Sequence, residues 1–139
     1  AITLPMGDSR LPGIAAADIG KCAHNIIKSG RKYIGKTVGV AGDHLTGAQM
    51  ATALTTALSQ EVRYTDVPPE VYRGFGFPGA DDLGNMFQFN RDFEQVFCGA
   101  RNLDAARALN LSMQTFGAWL EKNRDRIPME QETRRASGE

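Results

Sequence analysis

The sequence predicts a small α/β unit, mostly helical, whose few strands are too short to build a sheet of their own. Three observations carry this expectation. Apolar residues recur at spacings of three and four along most of the chain, as the buried faces of helices do. Only short stretches have extended or alternating character, and strands of that size and number do not make an independent doubly wound sheet. A length of 139 residues with 42% hydrophobic and 23% charged residues suits one folded core.

From the start, Ala1 to Leu4 reads as an extended stretch that runs into a turn at Pro5 to Asp8, since Pro5 biases Leu4 toward extended backbone. Leu11-Pro12-Gly13 reads as a second turn. A helix follows in which Ile19, Cys22, Ala23, Ile26 and Ile27 share a face, closed by Gly30 with Lys28 in its last turn. Thr37 to Ala41 reads as a short strand ending at Gly42-Asp43. Thr46, with Gln49 three residues on, forms a capping box and opens a helix whose Met50, Leu54, Ala57 and Leu58 lie together.

Glu61 to Thr65 alternates polar and apolar side chains, as a half-buried strand does. Pro68-Pro69-Glu70 suits the entry of a short helix. Gly74 to Gly79 is a glycine-aromatic corner, and from Asp82 a helix carries Leu83, Met86 and Phe87 on one face. Phe93, Val96 and Phe97 form another apolar cluster, and Ala105 to Leu109 is a short helical segment. Ser112 is the expected cap of a last helix with Met113, Phe116, Trp119 and Leu120. Residues 1–128 are read as one unit, and the polar, aperiodic segment 129–139 as a flexible tail.

Sixteen Lys and Arg balance sixteen Asp and Glu, so the formal net charge is zero. A nucleic-acid binder carries a basic excess, and direct nucleic-acid contact is not expected here. No apolar run approaches the roughly 20 residues that span a bilayer, so no membrane partner is expected. The first residues lack the layout of a secretory signal, and two cysteines make no disulfide framework. A reduced compartment is expected, the cytoplasm or the nucleus.

Motifs for chemistry are near misses. Gly30-Arg31-Lys32-Tyr33-Ile34-Gly35-Lys36-Thr37 fits the spacing of a phosphate loop, but such a loop follows a strand and opens a helix. Here a helix precedes the match and extended sequence follows it. Tyr33 and Lys36 stand three residues apart across a glycine, whereas a tyrosine–lysine dyad on a helix needs four. His24 and His44 have no partner at zinc spacing. Cys22 and Cys98 lack an adjacent base and read as buried thiols. Gly35, Gly39 and Gly42 lie around a strand, not at a strand-to-helix turn. No catalytic, cofactor-binding or metal-ligating residue is therefore assigned. The candidates for a cleft or partner contact are Phe75, Phe77, Met86 and Phe87, in a span where glycines let backbone approach closely. The alternative is that these side chains are core.

Three pieces of sequence carry a family likeness. They are Leu4-Pro5-Met6-Gly7-Asp8 with Ala17-Asp18-Ile19-Gly20, then Lys32 to Gly39, then Gly74-Phe75-Gly76-Phe77-Pro78-Gly79-Ala80-Asp81-Asp82-Leu83-Gly84-Asn85-Met86-Phe87. Their order and spacing, from about Ile2 to Leu120, resemble the C-terminal portion of NmrA-like proteins, atypical short-chain dehydrogenases that sense NAD(P). The resemblance implies a fold that is the C-terminal part of an NAD(P)-binding Rossmann-type protein, with the nucleotide held by an upstream Rossmann half. NAD(P) is then the cofactor of the full-length protein, and none is expected on this chain alone. The implied partners are that upstream half or another protein chain, with a homo-oligomer as the expected assembly. The implied function is the substrate- or partner-binding portion of an NAD(P)-sensing regulator. The alternative is the substrate-binding half of a genuine NAD(P)H-dependent reductase.

Overall fold

The computed structural model describes residues 1–128; the expected tail over 129–139 lies outside them. Two short ladders organise the chain. Strand β1 (Ile2–Leu4) runs parallel to β4 (Tyr64–Asp66), with Ile2 opposite Tyr64 and Leu4 opposite Asp66. Strand β2 (Leu11–Gly13) runs antiparallel to β3 (Asp43–Leu45), with Leu11 opposite Leu45. Around them lie α1 (Ala16–Lys28), α2 (Gly47–Leu58), α3 (Pro69–Arg73), α4 (Ala80–Asp92), α5 (Glu94–Gly99), α6 (Leu103–Leu109) and α7 (Phe116–Asn123). Short 3-10 turns at Gly30–Tyr33 and Arg124–Arg126 follow α1 and α7.

Local chemistry explains several of these boundaries. At the start of α2 the Gln49 N–H donates to Thr46 Oγ1 at 3.1 Å, and the Thr46 N–H donates to Gln49 Oε1 at 2.9 Å. Both orphan donors of that turn are thereby satisfied. The next residue, Gly47, is glycine for room: a Cβ there would meet the Tyr64 ring at 2.3 Å.

The strands differ from the sequence expectation. Leu11–Gly13 is an edge strand rather than a turn, and Pro12, which has no N–H, is tolerated because β2 has a single neighbour. Thr37 to Ala41 is not a strand. Pairing begins only at Asp43, and no strand among the described residues lies beside 37–41. There the backbone of Gly39 packs so closely on the Ala100 carbonyl that a Cβ would sit 1.9 Å from its oxygen. The ladder expected from Glu61 is confined to Tyr64–Asp66 because its partner β1 has three residues, although Arg63 O still accepts the Ile2 N–H at 2.8 Å. The last helix starts at Phe116, capped by Thr115 Oγ1, which accepts the Ala118 N–H at 3.1 Å. Ser112 is instead held in the preceding loop by Asn110 Oδ1, which accepts from its N–H and its hydroxyl.

Met6, Tyr72 and Phe87 form the centre of the core, with Leu4, Leu11, Met50, Tyr64 and Val67 packed on it. Helix α1 departs from its expected burial. Cys22 faces inward, together with Asp18, but Ile19 is exposed and Ile27 is 79% exposed. Nothing in residues 1–128 covers that stripe.

Candidate functional site

One buried carboxylate ties the first helix to the loop between α6 and α7. Asp18, in the first turn of α1, is fully buried. Its Oδ1 accepts from Asn110 Nδ2 at 3.0 Å and lies 3.2 Å from Lys21 Nζ. Its Oδ2 accepts from the Gln114 backbone N–H at 2.9 Å and from Gln114 Nε2 at 3.2 Å. Burial alone would raise this carboxyl. The donors from Gln114, Lys21 and Asn110 together outweigh burial and hold it below the usual carboxylate value.

Gln114 leads into a cavity of about 380 Å³ between the β2–β3 ladder, the start of α1, α2 and α7. Its walls are mainly apolar: Leu11, Ile14, Leu45, Met50, Phe116 and Trp119. Asp43 and Gln114 supply the polar edge, and Asp43 Oδ2 accepts the Phe116 N–H at 2.6 Å, fixing the first turn of α7. This volume is within the range that holds small organic ligands. Among the described residues no histidine, cysteine or lysine lines it, and they offer aromatic surface and one carboxylate rather than a nucleophile with its base.

The four aromatic and methionine candidates lie elsewhere. Phe87 is buried at 6% exposure, whereas Phe75 is 51% exposed, and Phe77 and Met86 are also exposed. Phe75, Phe77 and Phe87 gather around Tyr72, with ring centroids at 5.6, 5.6 and 5.8 Å. None of the four lines the cavity beside Trp119. Tyr72 organises the group from α3, and its signal in the sequence was only an aromatic residue in a short proline-led helix.

The remaining candidates are placed as follows. Gly30 to Thr37 leaves α1, passes through a 3-10 turn and opens no helix, with no strand before it. Residues 30–37 therefore supply no helix N-terminus for a dinucleotide pyrophosphate. His24 is exposed on α1, and a ring nitrogen of His44 lies 2.9 Å from Arg101 O. Cys22 and Cys98 are free and buried. Burial raises both thiols, assisted by Asp18 at Cys22 and by Glu94 at Cys98. Among the described residues no cluster of His, Cys, Asp and Glu has the makings of a metal site, and no helix is long and apolar enough to cross a membrane.

Comparison with known proteins adds the following. The family model described as the NmrA-like family matches residues 1–120. An NmrA-like family domain-containing oxidoreductase, lnbB, from Aspergillus flavus is 31% identical over 107 residues, covering 76% of this chain and 32% of that protein. Among solved structures, the Citrobacter sp. triphenylmethane reductase complexed with NADP(H) matches with a TM-score of 0.71 at 15% identity, over 91% of this chain and 44% of that one. Nmra, a negative transcriptional regulator in complex with NAD, matches with a TM-score of 0.67 at 22% identity, over 86% and 41%. The chain thus spans less than half the length of each of these proteins.

Proposed function

The chain belongs to the NmrA-like family, and from that premise we propose that it is the substrate- and partner-binding portion of an NAD(P)-sensing regulatory protein. In this reading the nucleotide is held by a preceding Rossmann half, and this chain closes the other side of the site. The observation that carries it is the uncovered apolar stripe of α1. Ile19 and Ile27 stand in water in a chain that covers 41% of the regulator it resembles in fold. An apolar face of that kind marks an interaction surface. Alone in solution at high concentration, the same face is expected to take up a second copy of the chain, and light scattering should then show a homo-oligomer.

The cavity beside Trp119 then serves as the chamber for the non-nucleotide ligand, walled by Met50 and Phe116 and with Asp43 at its edge. Asp18 and Gln114 keep its wall in place. When bound to the upstream half, NAD(P) supplies the redox chemistry or the redox signal. The residues of this chain shape the chamber and present the contact surface.

Calorimetric titration of the chain with NADPH tests the division of labour. No binding is expected, and micromolar binding by the chain alone would overturn it. A reductase is the second reading, favoured by the apolar chamber and by the fold likeness to the NADP(H)-bound triphenylmethane reductase. Oxidation of NADPH by the full-length protein with quinones or small carbonyls as acceptors would select that reading over the sensor.

A further inference from the structure

A groove of about 840 Å³ runs between α1 and the loop after α6, on the opposite side of α1 from the apolar stripe. Lys21, His24, Lys28 and Lys32 line it, and among the described residues no carboxylate does. At 3.6 residues per turn, the centre of the Lys21, His24 and Lys28 face lies roughly 150° round the helix axis from that of Ile19, Ala23, Ile26 and Ile27. A domain seated on the apolar stripe leaves this groove open.

The groove holds an excess of positive charge in a chain whose net charge is zero. Lys28, Arg31, Lys32 and Lys36 follow one another with no acidic residue among residues 28–36. None of them enters the ion pairs formed among the described residues. Among the described residues, of the lysines in the groove only Lys21 meets a carboxylate, the buried Asp18, and it also donates to Ser112 Oγ, each at 3.2 Å. On the facing wall Leu111 is 96% exposed, a bulky apolar side chain held in water beside the cations.

We propose that this groove docks an acidic peptide segment of a partner protein, its carboxylates along Lys21, Lys28 and Lys32 and an apolar side chain against Leu111. The spacing fits a peptide rather than a single phosphate. Lys21 and Lys28 are about 10 Å apart along the helix, at 1.5 Å per residue. Carboxylates about three residues apart on an extended peptide span the same distance, at roughly 3.3 Å per residue. A nucleic acid is disfavoured because no arginine among the described residues lines the groove, Leu111 has no counterpart on a phosphate backbone, and the Tyr33 ring is already covered by Lys32 Nζ at 5.2 Å from its centroid. This inference stands on the groove alone and does not rest on the nucleotide reading.

Fluorescence anisotropy tests it with a fluorescein-labelled twelve-residue peptide of repeating Glu-Glu-Leu. The chain is expected to bind at low salt, with affinity falling as NaCl rises, since exposed charge pairs are screened. Lys28→Glu/Lys32→Glu should weaken binding at least tenfold, and Leu111→Ser at least threefold. Lys122→Glu/Arg124→Glu, an equal charge change on the exposed end of α7, should leave it within twofold. Circular dichroism checks that each variant is folded. No binding at low salt would overturn the proposal. So would equal binding by the Lys28→Glu/Lys32→Glu variant, or tighter binding of a single-stranded oligonucleotide lost in that same variant.

Discussion

Replacing Asp18 by alanine removes the acceptor that joins α1 to the loop before α7. Two of its donors lose their acceptor: Asn110 Nδ2, on a buried residue, and the partly buried Gln114 backbone N–H. A buried donor left without an acceptor costs about 1–3 kcal/mol, so the expected loss is about 2–5 kcal/mol. Lys21 is half exposed and returns to water, adding little. A domain of this size has about 5–15 kcal/mol in total, so the loss is a large share of it. Urea denaturation followed by circular dichroism reads it as a fall in midpoint of roughly 1–2 M. Asp18→Asn keeps the shape but turns an amide N–H₂ toward donors, and should lose less than the alanine variant. The pH dependence follows from the lowered carboxyl. Because the folded group ionises below its unfolded value of about 3.9, its contribution is present above that pH and is lost as pH falls through the folded value. The gap between wild type and Asp18→Asn should therefore narrow from pH 7 to pH 3. An alanine variant within about 0.5 kcal/mol of wild type, or a gap that does not change with pH, would refute the reasoning.

Three further outcomes are expected. Phe87→Ala should cost about 3–5 kcal/mol by urea denaturation, as buried phenylalanines do, whereas Phe75→Ala and Phe77→Ala should each cost less; a loss above about 3 kcal/mol for both would leave the idea of an aromatic contact surface at that corner without support. Burial, the neighbouring Asp66 charge and its hydrogen bond raise the Tyr64 phenol to about 12, while its hydroxyl donates to Gly7 O at 2.9 Å. Its stabilisation is full below the ordinary tyrosine value of about 10 and is lost as pH rises toward 12, so Tyr64→Phe should flatten that alkaline decline while costing about 1 kcal/mol at pH 7. Cys22 and Cys98 should not react with Ellman's reagent in the folded chain and should both react in urea; rapid labelling of native protein would contradict their burial and raised thiols.

Most of the helices were legible because their signals are local. The box of Thr46 and Gln49 and the proline-led entry of α3 each sit within a few residues of the structure they set. The strands were not, because a ladder needs a second segment. Leu11-Pro12-Gly13 has turn composition and becomes a strand only because Asp43–Leu45 lies beside it. Thr37 to Ala41 has strand composition and no neighbour. The cap of α7 fell between two suitable residues, and Ser112 lost to Thr115 because Asn110 had already engaged it. In α1 the spacing marked an apolar face of which only Cys22 is buried, and the residue buried deepest is Asp18, whose partners Asn110 and Gln114 lie 92 and 96 residues away. The cavity beside Trp119 was hidden for the same reason, since its walls come from both ends of the chain. The three motif pieces, by contrast, pointed to the NmrA-like family that the match over residues 1–120 establishes.

The central claim, that the apolar stripe of α1 seats on a preceding nucleotide-binding half, is tested most directly by the solvent access of Ile27. Ile27→Cys, made both in this chain and in the full-length protein that contains it, is reacted with a maleimide; Cys22 and Cys98 are buried and keep the background low. At 79% exposure the new thiol should label quickly in the chain alone, diluted until light scattering shows a monomer. In the full-length protein it should be protected at least tenfold. Equal labelling rates in the two would show that nothing covers the stripe, and would contradict the account.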